Sequence, residues 1–464
     1  MNPVVIVGGG MAGLATAFEL TLKSVPFVLL EAGPRPGGVV LSEEIDGYTI
    51  DAGPDALLAQ KPAGIALCED VGLRDRLIST RPPRLAFIQR GGKLHPLPAS
   101  SVLGVPTEFG PFIRTRLFTW PGKLRMGAEI FVPAKRDDAD ESIGAFMRRR
   151  FGAEATDYLA EPLLAGIHAG DVDRLSVRAL FPRFVEAERA SGSLLRSFRK
   201  QPRRAASSDG AFRSLPGGLG ELVRAVVNRL PETSVRLNTA VVRVNADAEA
   251  FVVETSRGEP IAARAVVLAT PAFATSRIIA TVDAELSRLC SDIPYASTAT
   301  VALGFPGASV HHPLQGSGFV VPRVEANGIL AATWLSSKWD HRAPKGRVLM
   351  RAFIGGGRDP RAFELSDREM IVRALAALTP LVGITSEPEL ARVYRWERAS
   401  VQHEVGHLAR VDAIERALSR RPGLFVTGSG FRGVGIPDCV ADGRATAGHV
   451  IEWLSRLPAP SAAR

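Results

Sequence analysis

Apolar and polar positions alternate along this chain with two different periods. Val4 to Val7 is an unbroken β-branched run, and Met11 to Lys23 then carries apolar residues at helical spacing, so a buried strand is predicted to feed directly into a helix. A second apolar run, Pro26 to Leu30, ends at Glu31. Residues 234–246, 250–258 and 263–271 read as strands. Thr298 to Phe305, Gly328 to Trp334 and Val348 to Ile354 read the same way, followed by a helix over 366–378. Residues 80–205 are helix-like with basic clusters, and 423–454 reads as strand, glycine-rich turn and helix. The pattern predicts an α/β (α+β multi-domain) protein with a Rossmann-like dinucleotide-binding domain, a substrate-binding mixed sheet and a helical lobe. The expected division is 1–80, 206–285 and 401–464 for the binding domain, 81–205 for the lobe and 286–400 for the sheet.

Composition narrows this picture. A chain of 464 residues, 46% hydrophobic, can bury a large core. Its three cysteines form no CxxC pair, which argues against a disulfide framework or a zinc site and fits a reducing cytoplasm; no metal is expected. No uncharged apolar run is long enough to span a bilayer. The net charge of +9 favours an anionic partner, but the basic clusters at 148–150 and 199–204 lack interleaved aromatics on a nucleic-acid-binding motif, so no nucleic acid is expected. The amphipathic stretch 99–132, with Phe109, Phe112, Phe118 and Trp120 among Arg114, Arg116 and Lys123, either covers a core or makes peripheral contact with a membrane surface.

The chemistry starts at the first turn. Gly8-x-Gly10-x-x-Gly13 lies between the strand and the helix, the spacing that permits a tight turn, close backbone approach to a pyrophosphate, and helix-on-strand packing. Met11 and Ala12 open the helix, whose N-terminus faces the phosphates. Glu31, 18 residues beyond Gly13, stands where an acid accepts hydrogen bonds from a ribose. After it come Ala32, Arg35 and the pair Gly37-Gly38, then "DAGPDAL" at 51–57 with Gly53, Pro54 and Asp55. An acid followed by a Gly-Gly turn resembles the FAD-binding half of the amine oxidase and phytoene desaturase superfamily. FAD is the cofactor this implies, with Val241, Ala269, Trp396, Gly428, Gly435 and Ile436 as further contacts. No second GxGxxG occurs mid-chain, so the flavin is expected to be reoxidised by molecular oxygen or another acceptor.

Four further segments, "EPLLAGIHAGDVDRLSVRALFP" (161–182), "FRSLPGGLGELV" (212–223), "VALGF" (301–305) and "GVGIPDC" (433–439), are similar to those of the oxygen-dependent porphyrinogen oxidases of haem synthesis, and the likeness runs nearly end to end. "KLHPLP" (93–98), "GVPTEFGPFI" (104–113) and "TWLSSKWDHRAPKG" (333–346) most resemble the bacterial coproporphyrinogen III oxidases; mitochondrial protoporphyrinogen oxidases are more distant. The resemblance implies six-electron oxidation of a porphyrinogen through flavin, with hydrogen peroxide as by-product and no catalytic side chain of the protein's own. It implies a substrate slot built from Arg84, Ile167, His168, Gly170, Trp334, Lys338 and His403. Lys338, His341 and Arg342, with Arg84, Arg114 and Arg116, are the candidate partners for propionates, and transient contact with the next haem-pathway enzyme is expected. Two positions depart from the family pattern: His168 and His403 stand where relatives commonly carry aromatic residues. An imidazole there is compatible with a structural swap, an altered substrate contact or a proton-handling role.

Overall fold

The computed structural model describes residues 2–98, 101–102, 105–106, 109–200, 209–246 and 250–457, the side chains of 101, 102, 105, 106, 109, 164, 165 and 167 excepted. At its centre lies a parallel sheet in the order Val235–Arg236, Phe27–Leu30, Val4–Val7, Ala265–Leu268, Leu424–Val426. Val4 to Ile6 are fully buried, as the unbroken β-branched run requires of a strand covered on both faces. Helix Met11–Leu22 packs on one face against the long C-terminal helix Ile436–Arg456. These two helices meet through small residues: a Cβ on Gly443 would stand 2.3 Å from the Ala12 carbonyl oxygen, and Thr16 Oγ1 donates to the Gly443 carbonyl at 3.0 Å. On the other face lie Ala272–Ile278, Ala284–Ser291 and His407–Ser419, together with the antiparallel strands Val241–Ala246, Phe251–Thr255 and Ile261–Ala263.

A second, seven-stranded sheet runs Leu390–Val401, Tyr295–Pro306, Arg347–Gly355, Ala331–Trp334, Gly318–Val320, Phe87–Arg90, Lys93–Pro96. Helix Asp367–Val382 covers it, started by a capping box between Ser366 and Glu369 and stopped by Gly383 in the left-handed region. The last two strands come from the segment grouped by composition with the helical lobe. They form a hairpin around Gly91-Gly92, both at positive φ, and Phe319 pairs in parallel with Phe87. The sheet therefore draws on chain well before residue 286, and helix Ala284–Ser291 buries Leu286 and Leu289 in the nucleotide-domain core.

The helical lobe has its own core of Phe112, Phe118, Phe146, Phe151, Phe184 and Phe198. Its basic cluster is fully paired and runs from the surface inward: Arg148 is exposed, Arg149 half-buried and Arg150 buried. Arg148 pairs with Asp173, Arg149 with Glu141 and Glu188, and Arg150 is fully buried against Glu129. A buried guanidinium persists only when paired and hydrogen-bonded, and Arg150 also donates to the Val132 and Gly192 carbonyls at 2.9 Å. Residues 201–208, which hold most of the second basic cluster, lie outside the described residues. A wide π-helical segment, Thr156–Ala165, contains Pro162 and leads into the turn Gly166–His168.

Candidate cofactor and substrate site

The glycine turn is built as an anion cradle. Gly8 has φ +103°, and a Cβ there would sit 2.8 Å from the Ala269 carbonyl oxygen; a Cβ on Gly13 would stand 2.0 Å from the Gly8 oxygen. These two glycines are required by the turn itself. Gly10 is different: a Cβ there meets nothing within 4 Å, and no side chain caps the helix it begins. The first amides of that helix, from Met11, Ala12 and Gly13, have no acceptor within the helix, although the residues themselves are buried. That arrangement fits a pyrophosphate. Glu31 closes one side, its two oxygens accepting from the Gly9 and Gly33 amides at 2.7 Å each. Two N–H donors leave a carboxylate with lone pairs for ribose hydroxyls. Gly37 and Gly38, at φ +102° and +58°, carry the chain back over the cradle, and a Cβ on Gly38 would lie 3.4 Å from the Gly10 Cα. Arg35 donates to the Val40 carbonyl at 3.2 Å and the Gly38 carbonyl at 2.7 Å, fixing this second turn beside the exposed Ala32.

From the C-terminal side, Gly428 (φ +106°) comes close to Ala12, and its amide and the Thr427 hydroxyl both donate to Asp442. Gly435 precedes the helix that begins at buried Ile436. Val241 is half-buried at the start of its strand. Ala269 borders both Gly8 and Gly13. Gly8, Glu31, Ala269 and Gly428 thus lie just beyond the C-terminal ends of parallel strands, the crevice where open α/β sheets bind ligands.

The loop 51–55 is bolted to the second sheet by charges that sequence reasoning did not assign. Asp55 accepts from Lys338 at 2.6 Å, Arg351 at 2.9 Å and the Trp339 indole at 2.8 Å. Burial alone pushes its carboxyl upward, but the Lys338 and Arg351 charges and these hydrogen bonds hold it well below the ordinary carboxylate range. Arg351 donates as well to the Asp51 and Gly53 carbonyls, while fully buried Arg342 pairs with Asp51 at 2.8 Å and donates to Ser214 Oγ at 3.0 Å. Trp396 Nε1 reaches the Ala52 carbonyl at 3.1 Å, and the half-buried Gly53 and Pro54 lie between these anchors. An arginine inside the otherwise apolar stretch "VLMRAF" was the available signal, because a charge in such a position needs a buried partner.

The expected substrate residues divide. Lys338 and Arg342, expected as propionate partners, are paired with Asp55 and Asp51. Trp334, expected in the substrate slot, is fully buried among Phe87, His312 and Phe319, at ring distances of 5.5, 4.9 and 6.4 Å, in the core of the second sheet. Arg84 is exposed, with Nε donating to the Thr80 carbonyl at 3.0 Å, and Arg114, Arg116 and His341 are exposed too. The side chain of Ile167 lies outside the described residues. His168, Gly170 and His403 do come together. Gln402 Nε2 donates to the His168 carbonyl at 3.0 Å, and a Cβ on Gly170 would stand 2.5 Å from Gln402 Oε1. Burial pushes the His168 imidazole down to about 4, with His403 adding to the shift.

The profile of the flavin containing amine oxidoreductases matches residues 11–451. The coproporphyrinogen III oxidase of Bacillus subtilis (strain 168) is 37% identical over 97% of this chain and 98% of its own length. The protoporphyrinogen oxidase of rice chloroplasts is 30% identical, covering 97% of this chain and 88% of its own. A crystal structure from Exiguobacterium sp. 255-15, provisionally described as a protoporphyrinogen oxidase, superposes with a TM-score of 0.87 at 32% identity, over 98% of this chain and 99% of that one. Reduced UDP-galactopyranose mutase shares the fold, with a TM-score of 0.74 at 18% identity, over 97% of this chain and 96% of that one. With a cradle that fits FAD and a family match along almost its whole length, this chain belongs to the flavin containing amine oxidoreductases and is an FAD-dependent oxidoreductase.

Proposed function

We propose that the protein oxidises coproporphyrinogen III to coproporphyrin III in haem synthesis, with molecular oxygen as acceptor and hydrogen peroxide as by-product. One observation carries the reading: similarity to a coproporphyrinogen III oxidase spans 97% of the chain, so it includes the helical lobe and the second sheet, which a shared cofactor would not require. Protoporphyrinogen IX is the second reading, favoured by the rice relative. Bound FAD supplies a two-electron acceptor that oxygen regenerates. The chain's own work is to bind and orient: the Gly8–Gly13 turn takes the pyrophosphate, Glu31 the ribose, and the braced 51–55 loop with the Gly428–Ile436 segment borders the ring system. Arg84, Gly170, His168 and His403 are the substrate-side residues. Anaerobic mixing of the yellow holoprotein with coproporphyrinogen III, protoporphyrinogen IX or an amine tests this. Coproporphyrinogen III should bleach the flavin; bleaching by the amine alone defeats the reading.

Among the described residues, no helix is long and apolar enough to cross a membrane. Within the 99–132 stretch, Phe112 and Phe118 are core residues, whereas Ile113, Trp120, Leu124 and Phe131 are 49%, 64%, 73% and 78% exposed, near exposed Arg114 and Arg116. These exposed apolar and basic side chains support peripheral contact with an anionic lipid surface, which co-flotation with anionic vesicles at low salt tests. Transient contact with the enzyme that takes the product belongs to the same reading.

A further inference from the structure

Three imidazoles meet where the helical lobe, the end of strand Leu390–Val401 and the C-terminal glycine turn converge. His403 and His407 stack with ring centroids 3.8 Å apart and planes 12° apart. Their Nε2 atoms lie 2.9 and 3.2 Å from the Ser429 and Phe431 carbonyl oxygens. A carbonyl only accepts, so both Nε2 atoms carry the proton. His168 hangs from the same strand end through Gln402, its ring edge-on to Phe181 at 6.1 Å. Its Nδ1 is buried and has no hydrogen-bond partner, as is also true of His407 Nδ1, whose ring is held behind His403 by the stack. The charged and titratable groups facing it are His403, Lys61 and Asp438, the last two paired with each other at 2.6 Å beside the first turn of the final helix; Arg410 faces His407. Burial keeps the rings neutral, lowering His407 to about 3 and shifting His403 downward, despite the favourable Ser429 contact. Among the described residues no three potential ligands converge on a metal position.

An orphaned ring nitrogen on a neutral imidazole, beside the segment that borders the flavin, has one evident use in an oxidation that releases protons. We propose that His168 accepts at Nδ1 the proton that leaves the porphyrinogen in each two-electron step, with the His403–His407 stack positioning it against the C-terminal turn. The inference rests on the porphyrinogen reading. In each step a meso C–H bond breaks and its hydrogen leaves with both electrons for the cofactor and then oxygen. In two of the three steps a pyrrole N–H bond also breaks, and in the other the C–H bond of the remaining meso carbon does; each time the electron pair stays in the macrocycle as a new double bond and the proton forms the N–H bond at His168. That proton is returned when oxygen becomes hydrogen peroxide, so the imidazole is neutral again for the next round.

The test uses holoenzyme variants His168→Phe and His168→Gln, with pre-steady-state flavin reduction by coproporphyrinogen III followed from pH 5 to 9. Imidazole NMR of the wild type with coproporphyrin bound supplies a readout that needs neither turnover nor a variant. We expect kcat to fall on the order of 10²-fold in both variants, with KM changed less than about threefold. Added imidazole should restore part of the His168→Phe rate. The His168 ring signals should shift when coproporphyrin binds. Wild-type rates and pH profiles in either variant, or His168 signals indifferent to coproporphyrin, overturn the proposal while leaving the function intact. A wild-type flavin that coproporphyrinogen III cannot reduce overturns both.

Discussion

Replacing Gly10 by valine separates what the glycine turn needs for folding from what it needs for the cofactor. Gly10 has φ −71° and ψ 178°, a conformation open to any residue, and a Cβ there meets nothing within 4 Å. The apoprotein should therefore lose about 1 kcal/mol or less, the range of a poor N-cap. The isopropyl group, however, fills the space in front of the first uncapped amides of the helix. Losing two charge-assisted hydrogen bonds to a phosphate costs roughly 3–6 kcal/mol, or about 10²- to 10⁴-fold in FAD affinity. Gly13→Ala makes the opposite case, because its Cβ would stand 2.0 Å from the Gly8 oxygen and must break the turn. Titrating apoprotein with FAD by fluorescence quenching, beside thermal unfolding of the same samples, reads both quantities. A Gly10→Val protein that binds FAD with wild-type affinity refutes the pyrophosphate assignment.

Two further outcomes follow from buried charge. Lys338→Met leaves Asp55 with Arg351 and the Trp339 indole, so stability should fall by about 2 kcal/mol, with the porphyrinogen KM nearly unchanged; an unchanged melting temperature with a tenfold higher KM would restore Lys338 as a propionate partner. His407 is lowered from 6.5 to about 3 in the fold, so between those pH values the unfolded chain binds a proton that the native state does not. Stability is thus full above about pH 6.5 and declines as pH falls, by up to about 1.4 kcal/mol per pH unit from this group. His407→Gln should show a correspondingly shallower decline in urea unfolding between pH 6.5 and 4, and equal slopes would contradict the buried neutral imidazole.

The nucleotide half was legible because its signals are local. Strand, GxGxxG and helix fall within residues 4–23, and the observed strand Val4–Val7 and helix Met11–Leu22 agree with the pattern almost residue for residue. The second sheet was only partly legible. Its Phe87–Pro96 hairpin carried a Gly91-Gly92 turn signal in plain sight, but pairing with Gly318–Val320 is a long-range fact that no window contains. Leu390–Val401 mixes charged and apolar positions so evenly that period alone does not find it. The surroundings of several site residues were hidden for a similar reason. A motif says which residues stand near one another, yet whether Lys338 points at a substrate or at Asp55 depends on a partner 283 positions away. Trp334 looked like a slot residue because it heads a distinctive segment, whereas its strand position turns it into the core. His168 and His403 stood out as departures from a pattern; His407, which completes the stack, gave no such sign.

Steady-state kcat/KM for coproporphyrinogen III and protoporphyrinogen IX, measured side by side by porphyrin fluorescence at matched oxygen, tests the central claim most directly. The first substrate carries four carboxylates and the second two, and a pair of opposite charges about 4 Å apart contributes about 1 kcal/mol in bulk water and about 4 kcal/mol near a protein surface, before desolvation. A preference for coproporphyrinogen III of at least about tenfold, near 1.4 kcal/mol, is the expected result; a clear preference for protoporphyrinogen IX would contradict the substrate assignment.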